Sequence, residues 1–248
     1  MVKKTGMQMY LYLQGLDISG DIGSIGAIRS SSNPLDVTGI DKSAMERIHG
    51  LRDGEISFNC FYNDSLSTPV LKALPTTNVL ALVIQGTTAG SATWALTAKQ
   101  VNYNWSRNAD GSLVGSVQLL GAAGFPLESG NLLLAKTTHG SATDATGIDG
   151  AAQSTVGAVG FLQHFSGSSG TIEYDIEDSS NSTNGVDGSW TNLLAFSDVV
   201  TPWAATAQRV AVNGTVERWV RASTNGTFTN ASFAMALRRR YAGEHDAA

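Results

Sequence analysis

Residues 171–177 read TIEYDIE, in which apolar and acidic side chains alternate without interruption from Ile172 onward. An alternation of period two places successive side chains on opposite faces of an extended strand. The apolar face holds Ile172, Tyr174 and Ile176, and the acidic face holds Glu173, Asp175 and Glu177. The pattern predicts a β-strand with one face against a hydrophobic core.

The same signal recurs along the chain. Residues 55–62 also alternate, and residues 79–84 are continuously apolar, as expected of a strand buried on both faces. Asn108-Ala109-Asp110-Gly111 lies between two strand-like segments and predicts a hairpin turn. Asn213-Gly214 and Asn225-Gly226 predict two more tight turns. Short strands separated by turn residues are typical of an all-β protein.

Four segments depart from the strand pattern. Residues 42–48, with Asp41 as N-cap, predict a short helix, and residues 68–74, with proline in the first turn, predict a second one. Residues 19–33 and 137–157 are rich in small and polar residues and predict long loops.

A repeat relates the two halves of the chain. Residues 53–60 (DGEISFNC) match residues 169–176 (SGTIEYDI) at an offset of 116, and residues 110–113 (DGSL) match residues 225–228 (NGTF) at an offset of 115. Two matches in nearly one register favour an internal duplication over the alternative that all such hairpins look alike. The predicted division is a first β domain at 1–137, a linker or long loop at 138–157, and a second β domain at 158–248.

Charge limits the classes of function. Charged residues make up 15% of the 248-residue chain, and the formal net charge is −5. Soluble domains average about 25% charged residues, so the low value favours surfaces covered by partners over a surface solvated by Ser, Thr, Asn and Gln. The acidic balance argues against a nucleic-acid reader. The sequence lacks a membrane-length apolar run, and residues 1–6 lack a secretory apolar region, which predicts a cytosolic protein without membrane contact.

Candidate catalytic or metal-binding residues are few. Cys60 has no second cysteine to pair with and lies on an apolar strand face, which predicts a core residue. The histidines at positions 49, 139, 164 and 245 lack metal-ligand spacing. Residues 178–188 have the composition of a calcium loop, but their acidic spacing differs from that of an EF-hand, which favours a polar hairpin loop. The sequence predicts no catalytic residue, no metal and no cofactor.

Two groups of side chains are candidates for contacts between molecules. Tryptophans in such proteins act as core or interface anchors, or as a platform on which sugars stack. The basic run near the end of the chain either pairs with acidic patches of a neighbouring subunit or forms an exposed tail. The candidate inter-subunit residues are Trp190, Trp203, Arg238, Arg239 and Arg240.

The acidic face of residues 171–177 has two interpretations. One is an ordinary solvated face. The other is a negative surface that repels phosphate, so that DNA passes along it without binding, because cationic contacts to the backbone would hold the DNA.

Three stretches carry a family resemblance. They are residues 35–54 (LDVTGIDKSAMERIHGLRDG), residues 171–193, where TIEYDIEDS is followed by GSWTNL, and residues 208–233, with QRVAV, VERWVRA and GTFTNASF. Together they resemble major tail proteins, also called tail tube proteins, of siphophage-type viruses. The resemblance touches both halves and extends over roughly two-thirds of the chain.

The resemblance implies an all-β fold with one or two short helices, arranged as two tandem β-sandwich or barrel-like tail-tube domains. Subunits of this family form rings that stack into a hollow tube for DNA ejection. Members with two fused domains form trimeric rings of pseudo-sixfold symmetry. The implied partners are copies of this chain and other tail proteins, within the tail of a virion made in the host cytoplasm. The acidic face would then line the lumen.

The alternative interpretation is a carbohydrate-binding β-sandwich module of a virion, such as a receptor-binding or decoration protein. It rests on the tryptophan content and on the loop Gly188-Ser189-Trp190. A hydrolase has no positive support in the sequence.

Overall fold

The computed structural model describes residues 6–241. The predictions for residues 1–5 and for the histidine at position 245 lie outside the described residues. Within the described residues the chain forms sixteen strands, one α-helix and one short 3-10 turn. The strands are β1 (Met9–Leu13), β2 (Leu16–Asp17), β3 (Ile22–Asp36), β4 (Arg47–Phe61), β5 (Val79–Gln85), β6 (Ala92–Arg107), β7 (Leu113–Gly121), β8 (Glu128–His139), β9 (Ile148–Asp149), β10 (Ala158–Ser166), β11 (Ser169–Ser179), β12 (Thr191–Ala195), β13 (Val199–Val200), β14 (Thr206–Val212), β15 (Trp219–Thr229) and β16 (Ala231–Arg239). The 3-10 turn is Ser19–Asp21, and helix α1 is Ser67–Leu71.

The prediction of an all-β fold is confirmed. Ile172, Tyr174 and Ile176 of β11 are completely buried, as their alternation requires. The apolar run of residues 79–84 forms β5, in which every one of those residues is buried. The turn predicted at residues 108–111 joins β6 to β7, which pair antiparallel. The second predicted helix exists as the five-residue α1.

The described chain divides into two compact units, and neither is one continuous segment. Unit 1 contains residues 6–20, 80–95 and 129–241, and unit 2 contains residues 21–79 and 96–128. The predicted boundaries at 137 and 158 both fall inside unit 1. The division into tandem domains stays a prediction.

Unit 1 is a β-sandwich. Its first sheet has the strand order β14-β10-β16-β8-β6-β5-β1-β2, in which only the start of β6, residues 92–95, belongs to this unit. Its second sheet has the order β12-β11-β15-β9, with β13 beside β11. Side chains from both sheets share one core, in which Leu162 and Phe233 of the first sheet pack with Tyr174 and Ala222 of the second. The burial of this apolar surface, worth roughly 25 cal/mol per Å², holds the two sheets together.

Unit 2 is built on the antiparallel strands β3, β4, β7 and the later part of β6. Its buried side chains include Ile56, Phe58 and Cys60 of β4, so the predicted core position of Cys60 is confirmed. Helix α1 adds the buried Leu71, whose carbonyl accepts a 2.6 Å hydrogen bond from the Gln100 amide.

Three local predictions are wrong. The predicted loop at residues 19–33 is mostly strand β3, because pairing with β4 outweighs the weak strand propensity of its Gly and Ser residues. The predicted helix at residues 42–48 is absent, since the chain there forms a hairpin loop and β4 begins at Arg47. The predicted turn at Asn225-Gly226 lies within β15, where both residues pair with β11.

Candidate assembly surfaces

Strands β3 and β4 form one long ribbon, from Ile22 opposite Cys60 to Asp36 opposite Arg47. Strand β7 accompanies β4 only between Glu55 and Phe61, so residues 31–53 extend further as a two-stranded ribbon. We call residues 31–53 the arm. Most of its residues are exposed.

The base of the arm is fixed by charged and polar side chains. The Arg29 guanidinium forms an ion pair with the Glu55 carboxylate. The Gln118 amide donates a 3.0 Å hydrogen bond to the same carboxylate from the neighbouring strand β7. These contacts tie the direction of the arm to the sheet of unit 2.

The far end of the arm is closed by a small hydrogen-bond network. The Val37 N–H donates to the Glu46 carbonyl at 3.0 Å. The Thr38 hydroxyl accepts a 2.8 Å bond from the Glu46 N–H and donates a 2.5 Å bond to Asp36. The bonds from Thr38 lower the pKa of the Asp36 carboxyl. This closure across residues 37–46 explains why a helix does not form there.

One face of the arm is apolar. Leu35 and Ile48 lie opposite each other in the ribbon, and Val37 follows Leu35 by two residues, so the three share one face. The opposite face carries Asp36 and Arg47. The large apolar side chains of the arm are 47% to 109% exposed, and they are Leu35, Val37, Ile40, Met45, Ile48 and Leu51.

The arm concentrates exposed apolar side chains in one ribbon. Exposed apolar side chains grouped in one element are typical of an interaction surface. A two-stranded ribbon without a packed face is also marginally stable in water. Both facts point to a surface that is covered by a partner.

A second exposed apolar surface lies at the opposite end of β4. The Tyr62 N–H donates to the Leu113 carbonyl at 3.3 Å, and the Tyr62 ring meets Trp105 edge-on with 5.5 Å between centroids. Trp105 also meets Tyr103 edge-on at 5.2 Å and lies over Gly115, where a Cβ would come within 3.0 Å of the indole. Tyr62 is 51% exposed and Leu113 is 40% exposed. We call Tyr62, Trp105 and Leu113 the aromatic end.

The acidic row of β11 is not a uniform charged face. Glu173 is exposed, but Asp175 is buried. The Asp175 carboxylate accepts hydrogen bonds from the side-chain amides of Asn192 at 2.7 Å and Asn225 at 3.2 Å. The prediction that the row lines a lumen stays a prediction, and of its three carboxylates Glu173 is exposed, Glu177 is half-buried and Asp175 is buried.

Glu177 and Trp190 meet at one arginine. The Arg221 guanidinium lies 2.7 Å from the Glu177 carboxylate and 3.0 Å from that of Asp144. The same guanidinium stacks over the Trp190 ring at 4.4 Å from its centroid. The Trp190 indole N–H donates to the Asp187 carbonyl at 3.0 Å. One face of this tryptophan is therefore occupied within the chain.

Trp203 also packs within unit 1. Its indole N–H donates a 2.9 Å hydrogen bond to the Gly170 carbonyl, and its ring meets His164 edge-on at 5.5 Å. The ring fills the space above Gly167, where any Cβ would overlap it. The predicted inter-subunit roles of Trp190 and Trp203 stay predictions.

The basic run lies within and just after a central strand, so its interpretation as an exposed tail is wrong. Arg238 and Arg240 are buried, and Arg240 donates a 3.0 Å bond to the Asn213 side chain. Burial lowers the pKa of Arg239. Its guanidinium donates, at 2.7 to 3.3 Å, to the backbone carbonyls of Ala152, Val216, Glu217 and Arg218. The role of the run between subunits stays a prediction.

The loop between β11 and β12 folds around a carboxylate. Asp187 accepts bonds from the Thr183 N–H at 2.7 Å and hydroxyl at 2.6 Å, and from the Ser182 hydroxyl at 2.9 Å. The bonds from Thr183 hold the pKa of Asp187 far below its usual range. The loop is thus a polar loop that satisfies its own acidic group.

Two properties of the described residues concern metal binding and membranes. Across residues 6–241, no group of three or more His, Cys, Asp or Glu side chains is placed to hold a metal ion. Over the same residues, no helix has both the length and the apolar character required to cross a membrane.

Sequence reasoning missed the arm. Before the arm, Ile22, Ile25 and Ile28 of β3 are three residues apart, a spacing that two irregularities in the pairing with β4 accommodate and that hides the period-two signal of a strand. The alternation Leu35-Asp36-Val37 was a signal for a strand, because it continues as a strand up to the closing turn.

No family model matches this sequence, and no curated protein matches it. Among solved structures, the chain is similar to a component of the virion of a native gene transfer agent particle, with a TM-score of 0.41 and 13% identity over 49% of this chain and 95% of that one. It is also similar to the Dit protein of phage SPP1, described as a hub adsorption apparatus in phages that infect Gram-positive bacteria, with a TM-score of 0.31 and 10% identity over 93% and 99% of the two chains. A third similar chain belongs to the activated baseplate of phage p2 with strontium, with a TM-score of 0.31 and 8% identity over 94% and 98%.

Proposed function

We propose that this chain is a structural subunit of a bacteriophage tail, which assembles with copies of itself into rings that stack into the tube for DNA ejection. The sequence resemblance to siphophage major tail proteins supports this family. The low content of charged residues supports extensive contacts between subunits. The role is structural, and no residue is assigned to catalysis.

The observation that carries the proposal is the arm. It is an exposed ribbon with an apolar face of Leu35, Val37 and Ile48, and the fold of unit 2 leaves that face uncovered. An exposed apolar face on a ribbon without a packed side is typical of an interaction surface. A subunit whose working state is an assembly accounts for such a surface.

The finer features of the proposal come from the sequence. Three chains would form each ring with pseudo-sixfold symmetry, and other tail proteins would bind at the ends of the tube. Glu173 would contribute negative charge to the lumen, where repulsion of phosphate lets DNA pass without binding.

Light scattering coupled to size exclusion tests the role of the arm. In the double variant Leu35→Asp, Ile48→Asp, we expect monomers at protein concentrations where the unchanged chain forms oligomers, because two carboxylates replace apolar contacts. The matched control is Ser30→Asp, which adds a charge at an exposed site near the base of the arm. Oligomers that persist in the double variant would contradict the proposal that the arm drives assembly.

A further inference from the structure

We propose that Asn213 is a site of covalent self-modification, at which the backbone nitrogen of Gly214 attacks the side-chain amide and the Arg240 guanidinium promotes the attack. The product is an aspartate or isoaspartate residue at position 213. This inference is independent of the proposed function, because it follows from the chemistry of one loop.

The reaction is available to an asparagine that is followed by glycine. The glycine nitrogen attacks Cγ of the asparagine, the bond from Cγ to Nδ2 breaks, and the displaced nitrogen leaves as ammonia with the proton of the attacking nitrogen. Water then opens the resulting five-membered succinimide at either carbonyl, which yields aspartate or isoaspartate. Glycine favours the attack because it has no Cβ to obstruct the approach and its backbone rotates freely.

The sequence contains three asparagine–glycine pairs, at residues 184–185, 213–214 and 225–226. All three asparagines are exposed to solvent. Residue type and exposure therefore do not distinguish the three pairs, but the hydrogen bonds around each pair do.

The first pair is held by the loop between β11 and β12. The Gly185 N–H, which contains the attacking nitrogen, donates a 3.0 Å hydrogen bond to the Ser182 hydroxyl. The Asn184 Oδ1 accepts bonds from the N–H groups of Val186 at 2.9 Å and Asp187 at 3.0 Å. Rotation of the nitrogen and the amide towards each other would break these bonds, so the loop protects this pair.

The third pair is held by a sheet. Both of its residues pair with β11 within β15, and Gly226 lies opposite Ile172. The Asn225 amide also donates a 3.2 Å hydrogen bond to the Asp175 carboxylate. The backbone of a paired strand cannot rotate towards its own side chain without opening the sheet, so this pair is protected as well.

The pair Asn213-Gly214 lies in the loop that follows β14. The pairing of β14 with β10 ends at Val212, and the next bridge along the described chain joins Val216 to Ser154. Gly214 is exposed, its φ is +108°, and no atom lies within 4 Å of the position that a Cβ would take. The backbone of this pair therefore has room to rotate into the geometry of attack without breaking a sheet.

The Arg240 guanidinium makes the Asn213 amide more reactive. It donates a 3.0 Å hydrogen bond to Asn213 Oδ1, and Arg240 itself is buried directly after β16. Attack at Cγ moves negative charge onto Oδ1, so a fixed cationic donor stabilises the transition state more than the starting amide. The corresponding oxygen of Asn184 accepts from neutral backbone N–H groups, which are weaker donors.

Peptide mapping by mass spectrometry during storage at neutral pH tests the inference on the unchanged chain. Conversion at residue 213 should be at least about tenfold faster than at residues 184 and 225, because only the first has room for the attack. In concentrated urea the three rates should become similar, since unfolding removes the bonds that protect two of the sites. A folded protein that converts residue 184 or 225 as fast as residue 213 would overturn the inference.

The variant Arg240→Gln tests the part played by the arginine. It removes the charged donor and should slow conversion at residue 213 about tenfold. The matched control is Arg107→Gln, which removes the same charge from an exposed site and should leave the rate unchanged. Equal rates at residue 213 with and without Arg240 would overturn the role of the guanidinium.

The other two pairs report on folding in each variant. Conversion at residues 184 and 225 should stay slow while the fold is intact and should accelerate if a substitution loosens it. The comparison of the three sites in the unchanged chain requires no substitution, so it decides the inference even if Arg240→Gln fails to fold.

Discussion

At the scale of single residues, the core of unit 1 contains a buried histidine and a buried tyrosine that are within hydrogen-bond distance of each other. The His164 imidazole is completely buried, and its Nδ1 lies 2.7 Å from the Tyr174 hydroxyl. Burial lowers the pKa of His164 to about 4 and raises that of Tyr174. Both groups are therefore neutral in the folded protein at neutral pH, since a buried charge would cost more than their hydrogen bond gains.

The buried histidine predicts a loss of stability in mild acid. Below pH 6.5 the unfolded chain binds a proton at this residue and the folded chain does not, so the free energy of unfolding falls until the pH reaches about 4. The loss attributable to His164 should approach about 3 kcal/mol. Urea unfolding between pH 7 and pH 4 should show a shallower pH dependence for His164→Gln than for the unchanged chain. The exposed His49→Gln is the control, and equal slopes for all three proteins would contradict the assignment.

A buried carboxylate predicts a second effect on stability. Asp178 accepts a 2.9 Å bond from the Glu217 N–H and a 3.0 Å bond from the Thr191 hydroxyl. Asp178→Ala removes two hydrogen bonds to a charged acceptor. The loss should be about 1.5–3 kcal/mol for the bond from the half-buried Glu217 N–H and smaller for the bond from the exposed Thr191 hydroxyl, which water can replace. Chemical denaturation should show this loss, while the exposed Asp198→Ala changes stability by less than about 0.5 kcal/mol. Equal effects of the two changes would show that the Asp178 bonds contribute nothing.

The alternation of residues 171–177 predicted the buried face of β11 but not the partners of its acidic side chains. The alternation correctly predicted which side chains of β11 enter the core. It did not reveal that Asp175 is buried against Asn192 and Asn225, or that Arg221 pairs with Glu177. Those partners come from other strands, so a pattern of neighbouring residues holds no information about them.

At the scale of elements, residue type predicted the turns and hydrophobic periodicity predicted the strands. At residues 225–226 the residue types predict a turn where the structure has a strand. Asn225-Gly226 has the composition of a hairpin turn, yet Gly226 pairs with Ile172 inside β15. The turn to β16 lies at Asn230, which has a φ of 51°. The similar motif Asp110-Gly111 does form a turn, so the two matched motifs occupy different positions in the fold.

The backbone conformation at Gly226 predicts that a side chain at this position destabilises the fold. Its φ is +94°, and an added Cβ would lie 2.4 Å from the Thr171 carbonyl oxygen. Gly90 has a similar φ of +87° with open space around it. Gly226→Ala should therefore lower the free energy of unfolding by at least about 1 kcal/mol more than Gly90→Ala, since the strain in φ is common to both. Equal losses would place residue 226 in an open turn.

Strong periodic segments were predicted well at the element scale, and weak ones were not. The alternation in β11 and the apolar run in β5 were enough to predict that these segments are strands. Strand β3 forms because it pairs with β4, and its Gly and Ser residues have too low a strand propensity to predict that pairing. The predicted helix at residues 42–48 failed because the cross-ribbon bonds of Thr38 and Glu46 close a hairpin there.

At the scale of the whole molecule, the chain passes from unit 1 to unit 2 and back more than once. Sequence comparison predicts domains as consecutive segments, so it cannot predict units assembled from separated ones. The two large apolar surfaces of unit 2, the arm and the aromatic end, also emerge only from the pairing of β3, β4, β6 and β7. Both surfaces remain exposed in the single chain, so both are open to contacts with other copies.

Electron microscopy of the purified, concentrated protein tests whether the chain assembles with itself. We expect rings or hollow tubes for the unchanged chain and isolated particles for the variant Leu35→Asp, Ile48→Asp. Isolated single chains at every concentration for the unchanged protein, with its arm intact, would contradict it.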